Sequence, residues 1–231
     1  MNYIPNKNDQ NAMKSMFNDI AKNYDFLNDV MTFFTQKSIK NSAINSLKPN
    51  HSNILDVCTG TGDIAIMLAK KFPNASITAL DFSLEMLKIA KIKSKNLNIN
   101  FINNNALDMP FLNNSFDLCT ISFGLRNLPD ITAAIKEIHR VLATNGELLI
   151  IDLGKPKMNW LYPLILDKVI PILGKIFHEN KYPYQYLVES QKDFPSPQNL
   201  SKVLQSVGFA DTKIRNFLFG TITVLTAEKS K

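Results

Sequence analysis

The chain has 231 residues, 45% hydrophobic and 20% charged, which suits one well-buried soluble domain and leaves little room for two. Its net charge of +6 sits on lysines scattered over predicted helix faces, Lys70, Lys71, Lys88, Lys91, Lys93 and Lys95 among them, and reads first as a solvated surface and second as attraction to anionic lipid. Nucleic acid is excluded as a partner by the lack of an aromatic-rich basic surface or an appended RNA domain, and Cys58 and Cys119, both in apolar strand-like runs, exclude a disulfide framework and read as buried thiols of a cytoplasmic protein.

The first eleven residues are polar and carry no signal-peptide pattern. Met13, Met16, Phe17, Ile20, Tyr24, Leu27 and Met31 recur at three- and four-residue spacing and predict one helix over 11–31, with a second over about 37–47. Asn53 to Cys58 is a short apolar strand running into Thr59-Gly-Thr-Gly-Asp63, after which Ile64, Leu68 and Phe72 mark a helix. The alternation continues with a strand from Ser76 ending in Asp81 and a helix capped by Ser83 and running to about Lys93. Strands follow at Asn100–Asn103 and Phe116–Ser122, then a helix through Ile131, Ile135, Ile138 and Leu142, and a strand over Glu147–Asp152. The most apolar stretch, 158–177, is broken by Pro163, Asp167, Lys168, Pro171 and Lys175 and is rejected as a spanning helix. A helix around Gln198–Val207 precedes strand-like runs at about 212–219 and 221–228, joined so tightly at Gly220 that they must pair antiparallel.

This order predicts an α/β fold, the Rossmann-like class I S-adenosylmethionine-dependent methyltransferase type. Its seven-stranded sheet is mostly parallel, with an antiparallel C-terminal hairpin. We expect a single domain over 1–231: N-terminal helices at 11–47, a cofactor-binding core at 50–154, an apolar substrate cap at 155–190, and the C-terminal helix and hairpin at 197–229.

The cofactor is read from Leu55-Asp-Val-Cys-Thr-Gly-Thr-Gly-Asp63. Gly60 and Gly62 let the backbone turn sharply and approach a ligand, at the carboxyl edge of the sheet where such folds bind. Asp81, ending the next strand, is placed to accept from both hydroxyls of a ribose. A dinucleotide site competes, because Gly60-x-Gly62-x-x-Ala65 fits its loose pattern. Two carboxylates weigh against it: Asp56, suited to the ammonium group of a sulfonium amino acid, and Asp63, which opens the helix where a pyrophosphate would need uncompensated positive dipole. S-adenosylmethionine is therefore the expected cofactor. Asn105 and Ala106, after the third strand, fall near an adenine, and Ser122, ending the fourth, near the amino-acid end. No metal is expected, since His51, His139 and His178 form no ligand cluster.

More specific segments are Met16-Phe-Asn-Asp-Ile-Ala-Lys-Asn-Tyr-Asp-Phe-Leu-Asn-Asp29, Ala106-Leu-Asp-Met-Pro-Phe111, Ile121-Ser-Phe-Gly-Leu-Arg-Asn127, His139-Arg-Val-Leu142, Gly154-Lys-Pro156, Tyr184-Gln-Tyr-Leu-Val-Glu-Ser190 and Phe194-Pro195. With the glycine turn, these make the chain resemble the ubiquinone/menaquinone biosynthesis C-methyltransferase family over about residues 13–229. The resemblance implies methylation of a ring carbon in a prenylated quinol, either demethylmenaquinol or a 2-polyprenyl-6-methoxy-1,4-benzoquinol. It carries over Thr61, Asp81, Asn105, Ala106 and Ser122 as cofactor contacts, and Tyr24, Arg126 and Asn127 as substrate-side residues. In place of the family's Gly, His, Arg and Trp cluster, this chain has Phe33-Phe-Thr-Gln-Lys-Ser-Ile-Lys40, which removes any substrate contact assigned there.

Chemically, Arg126 is the expected charge-bearing group. It stays protonated, so it lowers the pKa of a quinol hydroxyl or a bound water rather than accepting a proton. The alternative reading of Arg126 is a surface salt bridge with Asp130. The stretch 158–177 is read as a groove for the prenyl tail or a contact with the inner face of the cytoplasmic membrane, helped by Lys155, Lys157, Lys168 and Lys175. A homodimer is compatible with these residues. Competing functions are methylation of another small phenolic or lipid acceptor, and a binding module without catalysis.

Overall fold

A computed structural model describes residues 6–155, Tyr186, Ser190 and 194–230. Helices α1 (Gln10–Ile20), α2 (Tyr24–Met31) and α3 (Gln36–Asn45) lead into β1 (Asn53–Val57), α4 (Asp63–Lys71), β2 (Ser76–Asp81), α5 (Leu84–Lys93) and β3 (Ile99–Asn103). Then come β4 (Phe116–Ser122), α6 (Ile131–Val141), β5 (Leu142–Leu153), α7 (Pro197–Val207), β6 (Phe209–Phe217) and β7 (Ile222–Lys229). The seven strands form one sheet in the order β3-β2-β1-β4-β5-β7-β6. The first five are parallel, and β7 pairs antiparallel with both β5 and β6.

Period-two alternation sends neighbouring strand residues to opposite faces. Ile54, Leu118, Leu149 and Ile151 join the core under α1–α5, whereas Leu55, Cys119, Leu148 and Ile150 join the core under α6 and α7. Four of the helix starts have a side-chain cap. Asp9, Ser83, Asp130 and Ser196 accept from the backbone N–H of Ala12, Met86, Ala133 and Asn199, filling the unsatisfied donors of the first turn.

Three expectations are corrected. The helix over 11–31 is two, because Ala21–Asn23 forms a single turn of 3-10 helix. The four-residue step from Ile20 to Tyr24 is preserved across that turn, so apolar spacing could not reveal it. Strand β5 begins at Leu142 rather than Glu147: α6 passes directly into it, and the Asn145-Gly146 pair, with Asn145 at φ 61°, lies inside the strand rather than before it. The hairpin strands sit slightly off the predicted runs because Leu218–Gly220 form a turn with Leu218 and Phe219 in the left-handed region.

Candidate active site

Strand order reverses between β1 and β4, and the crevice at their carboxyl ends is where an open α/β sheet accepts a ligand. The next residue on each strand, Cys58 and Phe123, takes the left-handed backbone at φ 53°, as does Gly60 at φ 57°. The chain therefore turns abruptly away from both strands and opens the space above them. A cavity of about 270 Å³ lies there, bounded by Tyr24, Gly60, Asp81, Phe82, Asn105, Ala106, Phe123 and Asn127. A narrower cleft beside it reaches Asp56, Thr61, Asp63 and Ser122, and Tyr24, Gly60 and Phe123 border both.

Asp81 is buried at the end of β2, where its two oxygens accept from the backbone N–H of Gly60 and Ser83, both at 2.8 Å. Burial pushes its pKa up to about 6, against the pull of the N–H groups of Ser83, Gly60 and Phe82. Asp81 thus fixes the glycine turn and still presents carboxylate lone pairs to the cavity. Asn105 and Ala106 line the same cavity, and the Asn105 side chain is held by accepting from Leu107 N–H at 3.0 Å.

Asp56 is wholly buried, and its oxygens accept from the hydroxyls of Thr59 at 2.5 Å and Thr120 at 2.6 Å. Burial also pushes this carboxyl up to about 6, offset in part by Thr120, Thr59 and the charge of Lys40. It braces the turn from beneath. Thr61 donates its hydroxyl to Asp25, so the glycine loop is tied to α2.

Asp63 opens α4 as expected, but it does not stand there as a lone negative charge. Lys40 reaches it at 3.1 Å and Lys93 is hydrogen-bonded to it, and these two cations outweigh burial and hold its pKa below the ordinary range. Lys93 also pairs with Asp25 at 2.8 Å, and Gln36 bridges Asp29 and Lys40. The chain's departure segment, Phe33 to Lys40, therefore supplies two buried polar side chains, Gln36 and Lys40, to the underside of the site.

The substrate-side residues meet at the end of β4. The Arg126 side chain is fully buried, donating to Asp152 Oδ1 at 2.7 Å and to the Phe123 carbonyl at 2.9 Å. The surface pair with Asp130 is excluded: Asp130 instead caps α6. Burial would lower the Arg126 pKa, but Asp152, together with Tyr24 and Tyr186, more than offsets it and keeps the guanidinium charged. Asn127 donates to the Phe123 carbonyl at 3.0 Å. Tyr24 stands across the crevice, and burial holds its phenol above the ordinary tyrosine value despite the charge of Arg126. Among the described residues, Ser122 Oγ, Arg126 Nε and Nη2, Asn127 Oδ1 and Tyr186 OH are buried with no hydrogen-bond partner.

Of the residues named from the sequence, Tyr24, Gly60, Asp81, Asn105, Ala106 and Asn127 line the larger cavity, and Asp56, Thr61 and Ser122 line the narrower cleft. Arg126 lines neither, its side chain being buried behind the crevice wall against Asp152 and the Phe123 carbonyl, and Gly62 closes the turn at φ 85°. Sequence reasoning missed Asp152, although a carboxylate ending the apolar run Leu148 to Ile151, at the same sheet edge as Asp56 and Asp81, was a readable signal. Lys40, Lys93 and Asp25 had no such signal, because their meeting depends on how α2, α3 and α5 pack.

The profile of the ubiE/COQ5 methyltransferase family matches residues 5–229 of the chain. The ubiquinone/menaquinone biosynthesis C-methyltransferase UbiE of Rickettsia bellii (strain OSU 85-389) is 39% identical over 231 residues, covering 95% of this chain and 93% of that protein. The demethylmenaquinone methyltransferase of Staphylococcus aureus (strain JH9) is 34% identical over 232 residues, covering 98% and 96%. In architecture, the chain is similar to a SAM-dependent methyltransferase of Thermotoga maritima, with a TM-score of 0.69 at 18% identity, over 94% of this chain and all of that one.

Proposed function

Since the chain belongs to the ubiE/COQ5 methyltransferase family, we propose that the crevice at the carboxyl ends of β1 and β4 is where its S-adenosylmethionine-dependent C-methylation in menaquinone or ubiquinone biosynthesis takes place. The acceptor is a ring carbon of a prenylated quinol, demethylmenaquinol or the methoxy-benzoquinol. The observation that carries the site assignment is the gathering of unpartnered buried groups of Ser122, Arg126 and Asn127 beside a cavity that Asp81 and the glycine turn border.

The residues fit the cofactor. Asp81 offers lone pairs to a ribose, and Asn105 and Ala106 lie where an adenine would rest. Bare backbone at Gly60, where even a Cβ would touch the Tyr24 ring at 3.5 Å, leaves room for close approach. Ser122 Oγ, free and buried, and the rim of the narrower cleft suit the amino-acid end, with Asp56 and Thr61 holding the loop beneath it. When bound, the cofactor supplies a methyl group whose bond to sulfur breaks, sulfur keeping the electron pair, as the quinol carbon's electrons form the new carbon–carbon bond and that carbon then sheds its proton.

The protein's own contribution is to make the carbon nucleophilic and to hold it in register. A quinol carbon reacts once the neighbouring hydroxyl has released its proton to water. The free N–H groups of Arg126 donate to the oxygen as its charge develops, inside a crevice where such donors are worth far more than in water. Asn127 Oδ1 accepts from the water that removes the proton, and Tyr24 binds the second quinol oxygen. Peripheral membrane contact and a homodimer belong to this proposal. The membrane contact rests on the apolar stretch 158–177, which lies outside the described residues, and on the positive charge of the chain. No helix among the described residues is long and apolar enough to cross a membrane. Transfer of labelled methyl to demethylmenaquinol and to the methoxy-benzoquinol, assayed side by side, tests the reading. No transfer to either would overturn it.

A further inference from the structure

Five of the buried polar atoms without partners among the described residues belong to four side chains, and three of these lie within six positions of one another: Ser122, Arg126 and Asn127. The fourth is Tyr186, only 4% exposed, the third residue of the Tyr184-Gln-Tyr-Leu-Val-Glu-Ser190 segment, for which nothing above supplies a role. Its ring belongs to the same apolar cluster as Phe123, whose carbonyl accepts from Arg126, and Leu153, whose N–H donates to Asp152, with Tyr24 packed against that cluster. Burying a hydroxyl without a partner costs free energy, so a group kept that way next to a reaction site calls for a ligand.

The Arg126–Asp152 pair adds a second reason. Its two charges cancel, so a developing phenolate meets directed N–H groups but no net positive charge. A further neutral donor adds to the hold on the anion, and a buried phenol that keeps its proton is such a donor. Burial pushes the Tyr186 pKa up to about 12, with Arg126 pulling down and Asp152 pushing up. That the charges of this pair are felt at the phenol agrees with its place in the apolar cluster that also holds Phe123 and Leu153.

We propose that Tyr186 is a further catalytic residue, its hydroxyl donating, together with the free N–H groups of Arg126, to the quinol oxygen that loses its proton. This rests on the quinol reading above. It leaves Tyr24 to the second oxygen and gives Tyr186 a part in ring recognition.

The test uses the full chain with demethylmenaquinol as the acceptor. Tyr186→Phe keeps the ring and removes one hydrogen bond to a charged oxygen, so kcat should fall about tenfold to a hundredfold. The acidic limb of the kcat–pH profile should move to higher pH, because the phenolate is less well held. Affinity for S-adenosylmethionine should stay at the wild-type value, and Tm should not fall, because the hydroxyl removed has no hydrogen-bond partner among the described residues. Should the variant fold poorly, 3-fluorotyrosine at position 186, a stronger donor of nearly the same shape, should move the acidic limb the other way. An unmoved limb in both proteins, or a kcat loss matched by an equal loss of cofactor affinity, overturns the assignment. The two readings fail differently. If the wild type does not methylate the quinol, the functional reading is lost; if it does and Tyr186→Phe matches it, only the role of Tyr186 is lost.

Discussion

Asp81 and Arg126 are both buried and charged at one sheet edge, but they differ in what opposes the burial. Asp81 has only backbone N–H groups around it, so its pKa rises to about 6, whereas Arg126 has a carboxylate at 2.7 Å and stays charged. Asp81→Ala should weaken S-adenosylmethionine binding at least tenfold by calorimetry, since a hydrogen bond to a charged group contributes about 1.5–3 kcal/mol. The raised pKa values also set a pH dependence. A carboxyl whose folded pKa exceeds its unfolded value takes up protons first in the folded state, so Asp81 and Asp56 should add stability as pH falls from about 6 toward 4. Cofactor affinity should move the opposite way and drop through the same range, because a protonated Asp81 loses acceptors. Asp81→Asn should flatten the affinity profile; an unchanged profile would remove Asp81 from the site. Arg126→Ala should lower kcat by roughly 10²–10³-fold, the scale of losing one preorganised donor. It also strands Asp152 in the core at a cost of about 3–5 kcal/mol. The cleaner comparison is therefore Arg126→Lys, which keeps the charge near Asp152 but loses the planar fork and should recover part of the rate with Tm largely restored.

Between β1 and β4 the crevice is kept open by two left-handed residues that are not glycine, and this arrangement has a testable geometry. A Cβ on Gly124 would stand 2.5 Å from the Cβ of Cys58, itself at φ 53°. Gly124→Ala should therefore lower Tm and weaken cofactor binding by forcing the two turns apart. Adding Cys58→Gly removes the clashing atom and relieves the backbone, so the double variant should regain most of the Tm. A double variant no more stable than Gly124→Ala would show that the contact is not the cause. At the same scale, α2, α3 and α5 meet the glycine loop through Lys40, Lys93, Asp25, Thr61 and Asp63. The N-terminal helices are thus joined to the cofactor loop by charge as well as by the apolar packing of Met16, Phe17 and Ile20.

Over the whole molecule, a sheet with apolar cores on both faces carries the crevice at the carboxyl ends of its strands, and the proposed tail binding falls on the stretch 158–177, outside the described residues. Replacing Leu164 and Ile165 by Ser should raise KM for a long-tailed quinol more than for a truncated one. Equal losses for both would point to a packing role only. The net charge of +6 predicts that co-sedimentation with liposomes grows with anionic lipid content and fades with salt; binding indifferent to both would rule out electrostatic attraction.

What the residues determined unaided was local and periodic. Strands ending in Asp56, Asp81 and Ser122, a glycine turn at 60–62 and a tight join at Gly220 are readable because strand period, turn chemistry and chain direction act within a few positions. From those, the parallel core, the antiparallel hairpin and the crevice at the strand ends all follow. Only the tertiary structure decided which charges meet. Arg126 pairs with Asp152 across two neighbouring strands rather than with nearby Asp130, and Asp63 is neutralised by Lys40 and Lys93 from two separate helices. The physical reason is that a charge partner is selected by distance in space and by the cost of leaving a buried charge alone, and neither quantity is encoded by spacing along the chain.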